Sequence, residues 1–263
     1  MEKRNRVGFV VPTLGDRDKT LRRTLESIRP QADLIVLVAP EGQIDTLKKS
    51  HEDVVDVFTP ETRRGLAPAI NLGFQQIPPE FDFVSWLGDD DFLEPNAIRR
   101  ALSCVANLDE TSAVYGNCNY VNENGDLIFT QKSGILAKFL LKTGPDLIPQ
   151  PGSILNHQAM KSIGFLDENF RLAFDYDMFL KLSKHGKLIF ANATLANFTW
   201  HSESLSVKQR EESMREASLA RKNNASTARG KIALALSPFA NLAALLAGKL
   251  VTQIAQKRKT KKS

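Results

Sequence analysis

Three consecutive carboxylates, Asp89-Asp90-Asp91, follow the apolar run Phe81-Asp82-Phe83-Val84-Ser85-Trp86-Leu87, with Gly88 between run and cluster. Adjacent carboxylates repel and raise one another's pKa unless a cation or hydrogen-bond donors compensate. A solvated acidic loop is the bland reading; position favours another. In open α/β sheets ligands bind beyond the carboxyl ends of the strands, and this cluster sits at such an end. Hard divalent cations take oxygen ligands, and Mg²⁺ typically shares one or two carboxylates with substrate phosphates. Mn²⁺ suits the same donors. That combination describes a nucleoside-diphosphate site. A second acidic pair, Asp175 and Asp177, opens a helical stretch running to His185. There Asp175 can serve as an N-cap and Asp177 as a first-turn acid favoured by the helix dipole.

These side chains need a frame. Val7-Gly8-Phe9-Val10-Val11 is a short β-branched run ended by Pro12, and Leu21, Leu25 and Ile28 give Asp16–Ile28 helical spacing. Strands are expected at Leu34–Val38 and, more weakly, at Val54–Phe58, followed by a helix from about Leu66 to Ile77. With the strand ahead of the acidic cluster, this alternation predicts an α/β fold: a mostly parallel central sheet covered by helices on both faces. Further on, Ala113–Asn117 and Leu127–Thr130 flank Asn122-Glu123-Asn124-Gly125-Asp126, a hairpin turn. Helices are expected near Asn156–Ile163 and Asp175–His185, a strand through Leu188-Ile189-Phe190, and an exposed polar helix over 207–228.

Composition narrows the class. An apolar share of 42% supports a real core, and two cysteines, Cys104 and Cys118, offer neither a disulfide framework nor metal-ligand spacing. A reduced, cytoplasmic setting fits. The net charge of +5 comes from the end of the chain, where Lys257, Arg258, Lys259, Lys261 and Lys262 cluster. A nucleic-acid binder spreads such residues over a face, so no nucleic acid is expected. Ile232–Ile254 is rich in Ala and Leu but interrupted by Ser237-Pro238, Asn241 and Lys249. It reads as an apolar helix with a basic tail, at 231–263, resting on the cytoplasmic face of a membrane or packed on the rest of the protein.

At this point five segments, in order, resemble glycosyltransferase family 2, inverting enzymes of the nucleotide-binding fold called GT-A. They are Val10-Val11-Pro12-Thr13; Arg64-Gly65-Leu66-Ala67 with Asn71-Leu72-Gly73; Trp86-Leu87-Gly88-Asp89-Asp90-Asp91-Phe92-Leu93-Glu94-Pro95; Ala173-Phe174-Asp175-Tyr176-Asp177-Met178; and Trp200-His201-Ser202-Glu203-Ser204-Leu205-Ser206. The resemblance implies a catalytic domain over 1–206, an exposed helix or linker over 207–230, and a C-terminal helical extension. It implies a nucleotide-sugar donor held by Pro12, Thr13, Arg64, Asn71, Asp89 and Asp90. The metal, Mg²⁺ or Mn²⁺, would be held by Asp89, Asp90, Asp91 and His201. Asp175 resembles the catalytic base. Gln150, His157 and Asp177 fall on the acceptor side, for a sugar or lipid-linked acceptor in cell-envelope or polysaccharide synthesis.

The departures from that pattern matter. Gly88 replaces the first acid of the usual Asp-x-Asp-Asp loop, and Phe174 replaces the Glu that usually precedes the base. The second strand ends Val38-Ala39-Pro40-Glu41, without the aspartates that read a uracil ring, so base contact moves to Glu41 and the carrier stays open. Two other functions compete. A nucleotidyltransferase acting on a sugar phosphate would carry a Gly-rich loop after the first strand, where Pro12-Thr13-Leu14-Gly15 has a single glycine. A non-catalytic nucleotide-sugar-binding subunit would show losses of this kind. A hydrolase is disfavoured, because no Gly-x-Ser-x-Gly elbow is present.

Overall fold

In a computed structural model the described residues are 5–62, 65–143, 146–200 and 210–225. The chain opens with β1 (Val7–Pro12), α1 (Asp18–Ile28), β2 (Leu34–Pro40), a short 3₁₀ turn and α2 (Ile44–His51). Next come β3 (Val57–Glu61), α3 (Leu66–Gln75), β4 (Phe83–Trp86), β5 (Phe92–Leu93) and α4 (Ala97–Leu102). The second half holds β6 (Thr111–Val121), β7 (Leu127–Gln131), α5 (Ala137–Leu140), β8 (Ile154–Asn156), α6 (His157–Ser162), α7 (Phe174–His185) and β9 (Lys187–Thr199). The helix α8 (Arg210–Asn224) follows.

One sheet runs through the whole, in the order β3-β2-β1-β4-β8-β6-β9-β5, with β7 paired to β6. Its first four strands are parallel. The remainder is mixed: β8 runs antiparallel to both neighbours while β6 and β9 pair in parallel. All of β1 is buried, as a strand covered on both faces must be. Alternation then sorts its side chains. Phe9 and Val11 pack with Leu21, Leu25 and Ile28 of α1, whereas Val10 packs with Ile70 and Phe74 of α3 on the opposite face. Gly73 lets α3 approach closely, since a Cβ there would lie 2.4 Å from Val10 Cγ1.

Three expectations shift. The weak third strand begins at Val57, not Val54, because Val54 and Val55 donate their amides to His51 O and close the turn after α2. Pro60 is tolerated because β3 is an edge strand. The strand expected at 188–190 extends to Thr199 along β6. The helix expected to be an exposed linker over 207–230 buries one face instead, with Ala220 fully buried and Arg221 at 3% exposure. Asn224 bonds Asp177 and Lys184 of α7. Among the described residues no helix is long and apolar enough to cross a membrane; Ile232–Ile254 and its basic tail lie outside them.

Candidate active site

A cleft of about 450 Å³ opens at the carboxyl ends of β1 and β4. Pro12, Trp86, Asp89, Asp90 and Asp91 line one side, and Gln150, Phe174 and Asp175 line the other. The sheet explains the first group: β1 and β4 are parallel neighbours, so the turns after them meet. Thr13 Oγ1 donates to Asp89 Oδ2 at 2.6 Å. Arg17, at the start of α1, reaches back to Asp90 Oδ2 at 2.7 Å and lies 3.8 Å from Asp89 Oδ1. Asp91 is almost fully buried and accepts from the Thr199 amide at 2.8 Å. Its own carbonyl takes the Thr24 hydroxyl.

Burial, and then the Asp90 charge, push the Asp91 carboxyl well above the usual carboxylate range. Asp89 is raised by burial as well, against the pull of the Thr13 hydroxyl. Arg17 and Arg23 offset part of this charge, and carboxylates held this close are a group that a cation would relieve. Gly88 leaves space beside this cluster: a Cβ there would lie 3.3 Å from both Asp90 Oδ1 and Asp91 Oδ2. Oxygens of two carboxylates converge on the space that the missing side chain leaves. Among the described residues no group of three His, Cys, Asp or Glu is placed to hold a metal ion by itself. A cation held here would therefore complete its coordination with ligand oxygens or water.

Asp175 is the second residue of α7 and accepts from the Tyr176 amide at 2.8 Å. Burial raises its pKa to about 6. Asp146 lines the same cleft, raised by burial and by the charge of Asp175. The start of α7 is held from outside: Glu216 of α8 accepts from the amides of Arg171 at 3.1 Å, Leu172 at 2.8 Å and Ala173 at 2.9 Å. This carboxylate satisfies the Ala173 amide that the helix start leaves unpaired, with the two amides before it, and favours the positive dipole end. It also fixes the turn that presents Asp175.

The other expected site residues divide. Gln150 lines the cleft and donates to Trp86 O at 2.9 Å. Asp177 does not face it. Two residues after Asp175 on a helix is more than half a turn round, so Asp177 turns to Lys181 and Asn224, each at 2.7 Å. His157 is 1% exposed, with Nδ1 3.1 Å from Phe81 O, in the core beneath the sheet end and away from the cleft lining. Asn71 spends its amide on Leu166 and Glu168, pinning α3 to that loop rather than lining the cleft. Glu41 lines a separate small depression with Gln43, Glu61 and Thr62. Arg64 and His201 lie outside the described residues, although Thr199, which holds Asp91, is two positions before His201.

Arg17, Asp146, Arg171 and Glu216 escaped the sequence reading. Only Arg17 carried a usable signal, a cation just after the first strand and opposite the acidic turn.

Comparison with known proteins places this geometry. The profile described as "Glycosyl transferase family 2" matches residues 9–171. An uncharacterized glycosyltransferase of Rickettsia felis is 25% identical over 204 residues, covering 73% of this chain and 32% of that protein. A chondroitin synthase of Escherichia coli is 26% identical over 199 residues, covering 73% and 28%. The chain thus spans about a third or less of these two relatives. Among solved structures, S. aureus TarS 1–349 superposes with a TM-score of 0.64 at 16% identity, over 88% of this chain and 70% of that one. The mannosyltransferase PcManGT from Pyrobaculum calidifontis, in complex with GDP-Man and Mn²⁺, gives 0.59 at 15%, over 97% and 81%. These likenesses agree with the GT-A fold. With more than half its length matched by the profile, the chain belongs to glycosyl transferase family 2.

Proposed function

We propose that this glycosyltransferase moves a sugar from a nucleoside-diphosphate-sugar to a hydroxyl acceptor, with inversion, using Asp175 as the base. The observation that carries the reading is the sharing of one cleft by the carboxylate turn 89–91 and by Asp175, each on a different element. The diphosphate belongs beside Asp89, Asp90 and Asp91, the acidic turn at the carboxyl end of β4 that lines the cleft. Mg²⁺ or Mn²⁺ would be held there by these residues together with His201, and it supplies charge neutralisation for the departing diphosphate. Two relatives in fold were solved with Mn²⁺, the mannosyltransferase and GalNAc-T7. Pro12 and Thr13 flank the nucleotide, with Arg64 assigned to the same pocket by the family pattern.

Asp175 then accepts the proton of the acceptor hydroxyl as that oxygen attacks the anomeric carbon. One C–O bond forms, the bond to the diphosphate oxygen breaks, and the configuration inverts. A carboxyl pKa near 6 suits this task at neutral pH, being ionised yet more basic than an exposed aspartate. Gln150 and Asp146 line the same cleft, and we assign them to the acceptor. The acceptor is a sugar or a lipid-linked glycan in cell-envelope or polysaccharide synthesis.

Calorimetric titration of nucleotide-sugars with Mn²⁺ or Mg²⁺ and with EDTA tests the site. Metal-dependent donor binding that Asp91→Asn abolishes and Asp175→Asn retains supports the assignment. Binding indifferent to metal and to Asp91→Asn contradicts it.

A further inference from the structure

Beside the cleft an apolar face is left uncovered among the described residues. Ile135, Leu136, Phe139 and Leu140 are 57%, 65%, 66% and 44% exposed, and Leu127 on β7 is 56% exposed. The face is held in place. Ala137 and Leu141 are buried on the inner side of the same segment. Tyr115 donates its hydroxyl to Gly134 O at 3.1 Å, Tyr176 to Leu141 O at 2.5 Å, and the Ser133 amide bonds Asn117 Oδ1 at 3.1 Å. Two core tyrosines thus fasten the backbone while the larger apolar side chains point outward. Contiguous exposed apolar surface on a fixed backbone marks an interaction site.

Charge identifies the partner. Lys132, Lys138 and Lys142 punctuate this segment, and no Asp or Glu occurs from Leu127 to Pro145. Lys138 Nζ lies 5.3 Å from the Phe139 ring centroid, so a cation sits at the edge of the apolar face. Protein–protein interface cores are depleted in lysine. Apolar side chains rimmed by lysines match a lipid surface, where the rings and leucines enter the acyl boundary and the ammonium groups meet anionic headgroups. The segment is also continuous with the site: Gln131 at one end and Asp146 at the other line the cleft.

We propose that the face formed by Ile135, Leu136, Phe139 and Leu140 with Lys132, Lys138 and Lys142 docks on an anionic lipid surface. Docking there sets the acceptor side of the cleft at the headgroup layer, where it meets an acceptor carried on lipid. The second statement rests on the glycosyl-transfer reading; the docking does not, and it is tested without activity.

The full chain is sedimented with phosphatidylcholine vesicles and with vesicles containing about 30% phosphatidylserine. The wild type is expected to partition to the anionic vesicles in a salt-sensitive manner. Leu136→Ser/Phe139→Ser and Lys132→Gln/Lys138→Gln/Lys142→Gln are each expected to lower the partition constant roughly tenfold or more. Phe139→Trp, which keeps the apolar face, is expected to shift its emission to the blue on anionic vesicles only, and this reports insertion even if the serine variant folds poorly. Three outcomes overturn the proposal. One is a wild type that ignores anionic vesicles. Another is partition unchanged in both patch variants but lost when Lys257, Arg258, Lys259, Lys261 and Lys262 become Gln, which assigns the membrane to the tail. The third is self-association that Leu136→Ser/Phe139→Ser dissolves while vesicle partition persists, which assigns the face to a second copy.

Discussion

Replacing Asp175 by Asn should stabilise the protein while removing its activity. The carboxyl pKa rises from the ordinary 3.8 to about 6 on folding, so the folded state binds this proton more tightly than the unfolded chain does. Below about pH 3 the group is protonated in both states and contributes nothing. As pH climbs from about 4 to 6 the unfolded chain ionises while the folded state keeps its proton, and the cost is complete above that point. At about 1.4 kcal/mol per pH unit, the difference corresponds to about 3 kcal/mol. Water in the open cleft screens part of it, leaving about 2 kcal/mol. Asn keeps an oxygen to accept the Tyr176 amide and carries no charge. It also relieves Asp146, which the Asp175 charge raises. Thermal unfolding at pH 8 should therefore place Asp175→Asn roughly 4–8 °C above the wild type, and at pH 4.5 the gap should fall to about a third of that. A variant less stable than the wild type, or a gap equal at both pH values, would refute the assignment of a charge held at an energetic cost for catalysis.

Other expectations follow from the same geometry. Turnover against pH should show an acid limb with a midpoint near 6, because Asp175 must be ionised to accept a proton; a flat profile between pH 5 and 7 counts against it. Removing the carboxylate in Glu216→Ala leaves the amides of Leu172 and Ala173 unpaired, and should cost about 2 kcal/mol of stability. It should also lower kcat more than it raises the donor KM, as steady-state kinetics would read. Asp177→Ala breaks a buried ion pair with Lys181 and should destabilise by about 3 kcal/mol or more in urea unfolding, while kcat per folded molecule holds. Thr13→Val removes the 2.6 Å bond to Asp89 and should weaken metal-dependent donor binding roughly five- to tenfold in calorimetry, about 1–1.5 kcal/mol.

The legible parts of this sequence were those where one local rule governs. Continuous apolar runs such as Val7–Val11 and Leu34–Val38 could only be buried parallel strands, and Asp89–Asp91 could be placed at a strand end from the order of elements alone. The hairpin around Asn122–Asp126 followed from its turn residues, and β6 and β7 pair as expected. What escaped depends on contacts distant in sequence. Glu216 sits about 40 residues after the amides it accepts, in a helix whose polar composition suggested exposure. Asp146 has no local motif and acquires its character from burial in the fold and then from the charge of Asp175. His157 and Asp177 occupy suggestive positions in resembling segments, but helical phase and core packing decide where side chains point. Asp177, one residue past Tyr176, falls on the buried face of α7. Asn71 illustrates the same limit, since its partners Leu166 and Glu168 lie in a loop with no pattern of its own.

Purified protein screened against a panel of nucleotide-sugars, with Mn²⁺ or Mg²⁺ and candidate glycan acceptors, tests the central claim most directly. The account predicts release of nucleoside diphosphate from one donor, dependent on metal and acceptor and lost in both Asp91→Asn and Asp175→Asn. Metal-dependent donor binding without transfer to any acceptor, or turnover that survives Asp175→Asn, would contradict it.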